Sequence, residues 1–313
     1  MPLPSNKSPD TLIKDINKLL NNVAAGKGLT LASDKLAEFG SNVAMKLNDA
    51  LIGRGKRKRP PKTLYMSEVG KPCRRQLWYE VNRDTNTFDV EKLPANAIVK
   101  FLYGDILEEL VLILCELSGH EVTDKQKSLE MKLPNGWVLR GRIDAKIDGE
   151  IVDVKSASTQ SFVKFTKGVD RTNDPFGYIP QLQSYNVAAD VTAGETTSFI
   201  AIDKTTGNIV RDEHKVDSQI KSKKDLQDLT ATLEASNPPP RQFNSVATSY
   251  GNESLGLECS YCHWKHECWK DANGGKGIRT FVYSRKPVHL VKIKKVPDMV
   301  ELKRDEEEKL QEV

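Results

Sequence analysis

Apolar residues recur at helical spacing twice before residue 55. Leu12, Ile13, Ile16, Leu19, Leu20 and Val23 make one amphipathic face, and Leu36, Phe39, Val43, Leu47 and Leu51 make a second that begins near Ser33. These helices are expected to cover part of the core or to form an oligomer interface. A long apolar helical run follows near residues 98–118, then a strand near 121–132. From Gly136 to Ser158 the period falls to two, and the segment reads as a hairpin turning on Asp148-Gly149, because a type I′ turn needs positive φ at both central residues. Counting outward pairs Ile147 with Glu150, Lys146 with Ile151, Ala145 with Val152, and Asp144 with Asp153. Side chains alternate along a strand, so Ile143, Ala145, Val152 and Val154 form an apolar face while Lys155 shares the face of Asp153. A helix near 178–190, an apolar strand at 197–202, a turn at Thr206-Gly207-Asn208 and a helix near 216–235 complete the order. Helices flanking a central mixed sheet follow from it, an α/β fold.

Composition narrows this little. The 313 residues are 38% hydrophobic and 29% charged, ordinary for a globular chain, and the net charge of +4 does not by itself indicate nucleic acid. No long uncharged apolar run or signal-peptide pattern occurs, so a cytoplasmic location is expected, or the host cytoplasm for a phage-encoded chain, with no membrane partner. No Gly-x4-Gly-Lys-Ser/Thr is present, and any helicase motor would be a separate protein. The expected organisation is a helical N-terminal extension at 1–53, a basic linker at 54–63, a main domain at 64–272 and a charged C-terminal tail at 273–313 containing Asp305 to Glu308. The linker, with Arg57, Lys58 and Arg59, reads either as a solvated spacer or as an arm tracking phosphates. Residues 160–176 carry Lys164, Lys167, Arg171, Phe162, Phe165 and Phe176, expected as a basic, aromatic loop that contacts DNA or packs.

The hairpin also carries chemistry. Directly opposed residues have Cβ atoms ~4.5–5.5 Å apart and like charges there are destabilising, so Asp144 and Asp153 call for a neutralising partner. A hard divalent cation held by one or two carboxylates is the natural choice. An ammonium on the same face, Lys155, can steady an attacking water or developing phosphorane charge. Asp-x-Lys alone more often marks a solvated hairpin. Three of the five cysteines fall in Cys259-x-x-Cys262-x5-Cys268, a spacing that implies a metal or cluster in a reducing compartment. The fourth ligand would be Cys73, Cys115, His263 or His266, and Cys115 sits in an apolar run that suits a core hydrophobe.

Gly141-x-x-Asp144 followed by Asp153-Val154-Lys155 resembles the signature of the PD-(D/E)xK nuclease superfamily. Tyr178-x-x-Gln181-Leu182-x-x-Tyr185 is similar to the motif of its RecB-like branch, and Gly104 to Glu108 matches the spacing of a further acidic ligand. The segment around Cys73 is similar to the first-cysteine segment of Cas4-like and AddB nucleases, in a lineage that includes the nuclease domain of Dna2. The resemblance covers about residues 65–270. It implies Mg²⁺ or Mn²⁺ held by Asp144, Asp153, Glu108 and the Val154 carbonyl, with Lys155 orienting or activating water and Gln181 and Tyr185 positioning a DNA strand. It also implies a [4Fe–4S] cluster on Cys73, Cys259, Cys262 and Cys268 that clamps the core, with Zn²⁺ as the alternative. The activity implied is a metal-dependent DNA exonuclease working on single strands or resected ends in recombination, repair or phage DNA processing. Alternatives are a flap or single-strand endonuclease, a CRISPR-adaptation factor, a DNA-binding module without catalysis, or a zinc-stabilised interaction protein. DNA is the expected partner, alongside a helicase, annealing or single-strand-binding protein.

Overall fold

The computed structural model describes residues 7–52, 59–82, 91, 95–283, 286–304, 306 and 307. The chain opens with α1 (Leu12–Ala24) and α2 (Ser33–Ile52), the two helices marked by apolar spacing. Strand β1 (Thr63–Tyr65), α3 (Arg74–Asn82) and α4 (Ala95–Leu117) follow. Next come β2 (Val122–Thr123), β3 (Ser128–Lys132), β4 (Val138–Arg142), β5 (Ala145–Ile147) and β6 (Glu150–Ala157). Then come α5 (Thr159–Lys167), α6 (Tyr178–Ala188), β7 (Thr196–Asp203), β8 (Ile209–Lys215) and α7 (Gln219–Leu233). Strands β9 (Ser245–Ala247), β10 (Glu253–Leu255), β11 (Arg279–Tyr283), β12 (Lys286–Lys292) and β13 (Glu301–Leu302) complete a mixed α/β fold of central sheets and flanking helices. The chain divides into two compact units, residues 1–72 with 100–230, and residues 73–99 with 231–313.

The first unit contains a sheet ordered β2-β5-β6-β7-β8, in which β6 and β7 run parallel and the other neighbours antiparallel. The hairpin register is the one its turn dictates: Ala145 pairs with Val152, Lys146 with Ile151 and Ile147 with Glu150. Asp148 and Gly149 have φ of 49° and 87°, both positive as a type I′ turn demands. The Asp148 carboxylate fixes the turn by accepting the Glu121 N–H at 2.9 Å and lying 2.6 Å from His120 Nδ1. On one sheet face Ala145, Ile147, Val152, Ile200 and Ile202 pack with Leu107, Val111, Leu112 and Cys115 of α4 and with Leu12 and Ile16 of α1. Each fully buried Leu, Ile or Val among them contributes about 1.5–3 kcal/mol. Helix α1 is therefore part of the core, and Cys115 is one of its small hydrophobes. The opposite face carries Phe199, against which Phe165 and Tyr178 pack with ring centroids 5.9 and 6.0 Å away. A smaller sheet ordered β1-β4-β3 lies in the same unit.

Two segments differ from their sequence reading. The first half of residues 160–176 is not a loop but α5, because Ser158 caps it, accepting the Ser161 N–H at 3.3 Å, and because Phe162 and Phe165, three apart, both face the core. Phe176 stays exposed. Residues 273–313, whose charge predicts a tail, contribute β11, β12 and β13 to the second unit's sheet, ordered β13-β11-β12-β10-β9. Phe281, Leu290 and Val291 are buried there, and charge at neighbouring positions concealed this apolar content. Asp305 and Glu308 lie outside the described residues, as do linker residues 54–58. Arg59 is described, and its guanidinium meets the Glu68 carboxylate at 2.7 and 2.8 Å. The second unit's core combines Leu255, Trp269, Ala272 and Val291 with Cys259 and Cys268, while Trp264 stacks on Tyr79 at 5.4 Å. Among the described residues no helix is long and apolar enough to cross a membrane.

Candidate active site

The two-residue repeat of β6 puts Asp153 and Lys155 on one face of the sheet, toward α6. Asp153 is 2% exposed. Its Oδ2 lies 2.5 Å from Lys155 Nζ, and its Oδ1 accepts from Gln181 Nε2 at 3.3 Å. Gln181 also accepts from Lys155 Nζ at 3.4 Å and donates to the Tyr185 hydroxyl at 2.8 Å. Positions three and four apart share a helix face, so Tyr178, Gln181 and Tyr185 are presented together. The start of α6 is held by Asp174, which accepts the Tyr178 and Ile179 N–H groups at 2.9 and 2.8 Å. Tyr178 completes the setting, with Lys155 Nζ 4.7 Å from its ring centroid.

Asp144 lies one residue before β5, and its Oδ2 accepts the Val154 N–H at 2.7 Å. Burial, then the charges of Asp153 and Glu108, push its pKa well above the ordinary aspartate value. Burial opposes the charge on Lys155, yet Asp153 and Asp144 outweigh it and hold the ammonium protonated. Burial, followed by the Asp153 charge, raises the Tyr185 phenol, which remains neutral. Gly141 earns its place in the motif through space: a Cβ there would stand 2.5 Å from Met66 Sδ and 2.7 Å from Tyr185 Cε1.

Glu108 is reached by a residue that the motifs do not point to. Lys46 of α2 places its Nζ 2.9 Å from Glu108 Oε1 and 2.8 Å from Glu109 Oε1. Gln126 also donates to Glu108, and Asn42 to Glu109 at 3.0 Å. Because α4 begins at Ala95, Asp105, Glu108 and Glu109 lie inside the helix, not at its N-terminus. The helical period of α2 could have marked Lys46 as facing inward, but nothing local connects it with residue 108.

The cofactor expectation is corrected by the donor geometry. Among the described residues, the one group of three or more ligand-type side chains whose donor atoms all lie within 4.8 Å of one another is Glu91, His266 and Glu307. That set lacks the four thiolates expected for a [4Fe–4S] cluster or its zinc alternative. Cys73 Sγ instead accepts the Gln76 N–H at 3.4 Å, and Cys259 and Cys268 pack against the second unit's core. Burial raises the Cys73 thiol and pushes Cys259 to about 11 and Cys262 to about 12, and the charges of the other cysteines add to each shift, so Cys73, Cys259, Cys262 and Cys268 lie near one another although outside that donor set. Glu108, Asp144 and Asp153 do not form such a donor set for Mg²⁺ or Mn²⁺ either. Lys46 pairs with Glu108, the Val154 N–H binds Asp144 and Lys155 pairs with Asp153, whose Oδ2 is buried with that ion-pair contact but no hydrogen bond of good geometry.

No known family model matches the chain. No curated protein matches it. Among solved structures, the one titled "Crystal structure of SSO0001" is similar at 20% identity with a TM-score of 0.42, covering 73% of this chain and 94% of that one. A likeness at that level carries no argument about function.

Proposed function

We propose that the first unit is a deoxyribonuclease of the PD-(D/E)xK, RecB-like type that hydrolyses phosphodiester bonds from DNA ends. The observation supporting this is the joining of Asp153, Lys155, Gln181 and Tyr185 in one hydrogen-bonded cluster, with Asp144 electrostatically coupled to it. Lys155 would neutralise charge gathering on the phosphoryl oxygens. Asp144, its pKa raised by burial and by the charges of Asp153 and Glu108, would in its deprotonated form accept a proton from the attacking water, and Gln181 and Tyr185 would hold the strand. One specific observation favours a second reading, a DNA-binding module without catalysis: the ammonium groups of Lys46 and Lys155 already neutralise Glu108 and Asp153.

The test is incubation of the full chain with end-labelled linear and covalently closed circular DNA, single- and double-stranded, in chelator and with added divalent cations. Stepwise shortening of linear strands, lost in Asp153→Asn, is the expected result. Cutting of closed circles would move the activity to the endonuclease class. DNA binding without cleavage under every condition would leave the second reading, and absence of both would overturn the two together.

A further inference from the structure

Three ligand-type side chains from distant parts of the sequence meet in the second unit. His266 Nε2 lies 3.3 Å from Glu91 Oε1 and 3.4 Å from Glu307 Oε2. The three side chains are 9%, 7% and 6% exposed; His266 Nε2 and Glu307 Oε2 keep long ion-pair contacts, Glu307 Oε2 also lying 3.8 Å from Arg304 Nη1, but neither makes a hydrogen bond of good geometry. Buried polar atoms left in that state are costly. The spacings are longer than a charge-assisted N–H···O contact, at ~2.7–2.9 Å. They match the edge of a tetrahedron around zinc, where ligand distances of ~2.0–2.1 Å put neighbouring donors ~3.3 Å apart.

We propose that Glu91, His266 and Glu307 bind a divalent transition metal of the Zn²⁺ class, through Nε2 and one oxygen from each carboxylate, with water in the fourth position. One imidazole with carboxylates suits such an ion and needs none of the cysteines. Lys265 Nζ donates to Glu91 Oε2 at 2.7 Å, and Arg304 Nη1 lies 3.0 Å from Glu91 Oε1. These cations orient Glu91 as outer-shell groups do, and they also compete with the metal for its charge. Bound metal would tie residues 91, 266 and 307 together, and the proposal is independent of the nuclease reading.

The experiment titrates Co²⁺ into the chelator-treated full chain and follows its absorption spectrum, then displaces it with Zn²⁺. The expected result is one equivalent with visible d–d bands that persist in Cys262→Ser and show no thiolate charge transfer. His266→Gln should weaken binding by more than ~100-fold, beyond the ~10–100-fold of an outer-shell change. Glu307→Gln, read at matched melting temperature, should weaken it as well and serves if the histidine variant does not fold. Failure to bind Co²⁺, bands that vanish in Cys262→Ser, or unchanged affinity in a folded Glu307→Gln would each overturn the site.

Discussion

Lys155 Nζ lies 2.5 Å from Asp153 Oδ2, so the cation and the carboxylate of the candidate site are paired before any substrate arrives. Like-charge repulsion is worth ~0.2–1 kcal/mol even for directly opposed strand residues, and Asp144 stands one residue before β5, outside that ladder. Removing one partner of a buried ion pair costs about 3–5 kcal/mol. The second effect is larger, so Asp153→Asn should destabilise the chain as well as abolish cleavage. Urea titration checks the first part and end-labelled DNA the second. A stabilised Asp153→Asn protein would show that repulsion governs the pair.

Gly141→Ala should lower stability by about 1–3 kcal/mol through overpacking. The added methyl would meet Tyr185 Cε1 at 2.7 Å and Met66 Cβ at 2.9 Å, and neither is the loose end of a flexible side chain. Displacing Tyr185 also strains its bond to Gln181, so activity should fall further than stability accounts for. Thermal melting alongside a rate measurement separates the two. An unchanged melt would mean that Met66 and Tyr185 move aside freely.

The local part of this architecture was legible because it follows from short-range rules. Asp148-Gly149 sets the hairpin turn, the turn sets the register, and the register puts Asp153 and Lys155 on one face. Gln181 and Tyr185 were readable by their spacing on α6. What escaped the sequence is contact between distant segments. Lys46 meets Glu108 across 62 residues, and Glu91 meets Glu307 through His266, with no periodicity linking them. The cysteine spacing was legible as a pattern, and Cys73, Cys259, Cys262 and Cys268 do lie near enough for mutual charge to raise the first three thiols, but spacing alone does not bring four sulfurs into one donor set. In α5 and in β11 to β13, charged neighbours hid buried Phe162, Phe165, Phe281 and Leu290, so both segments read as more exposed than they are.

A pH dependence follows from His289. Burial, then the Lys265 charge, lowers its pKa from 6.5 to about 4, and its Nδ1 meets Thr280 Oγ1 at 2.8 Å. Between those two values the unfolded chain binds a proton that the folded chain refuses, so stability falls as pH drops from 6.5 toward 4 and this contribution levels off below 4. The loss should reach about 3 kcal/mol at most. Denaturant midpoints measured across that range should fall with acid in the unsubstituted protein, and His289→Gln should flatten the slope. An equal slope in the variant would assign the dependence to other groups.

The last prediction concerns Lys46, which links α2 to the candidate site. Burial would lower its pKa, but Glu108 and Glu109 outweigh that and keep it charged. Lys46→Met strands two carboxylates and should cost about 3–5 kcal/mol. Adding Glu108→Gln removes one of the stranded charges, and the double-mutant cycle should return a coupling of ~0.5–3 kcal/mol. A catalytic consequence follows as well, because Glu108 is one of the charges that raises Asp144. Burial already raises the Glu108 carboxyl and losing Lys46 raises it further, but over the pH range in which Glu108 is ionised its uncompensated charge pushes the Asp144 pKa higher. A proton acceptor works in its deprotonated form, so the acid limb of the pH–rate profile should move toward higher pH in Lys46→Met and back in the Glu108→Gln double variant. An acid limb that stays in place in both would mean that Asp144 is not the group whose protonation limits the rate.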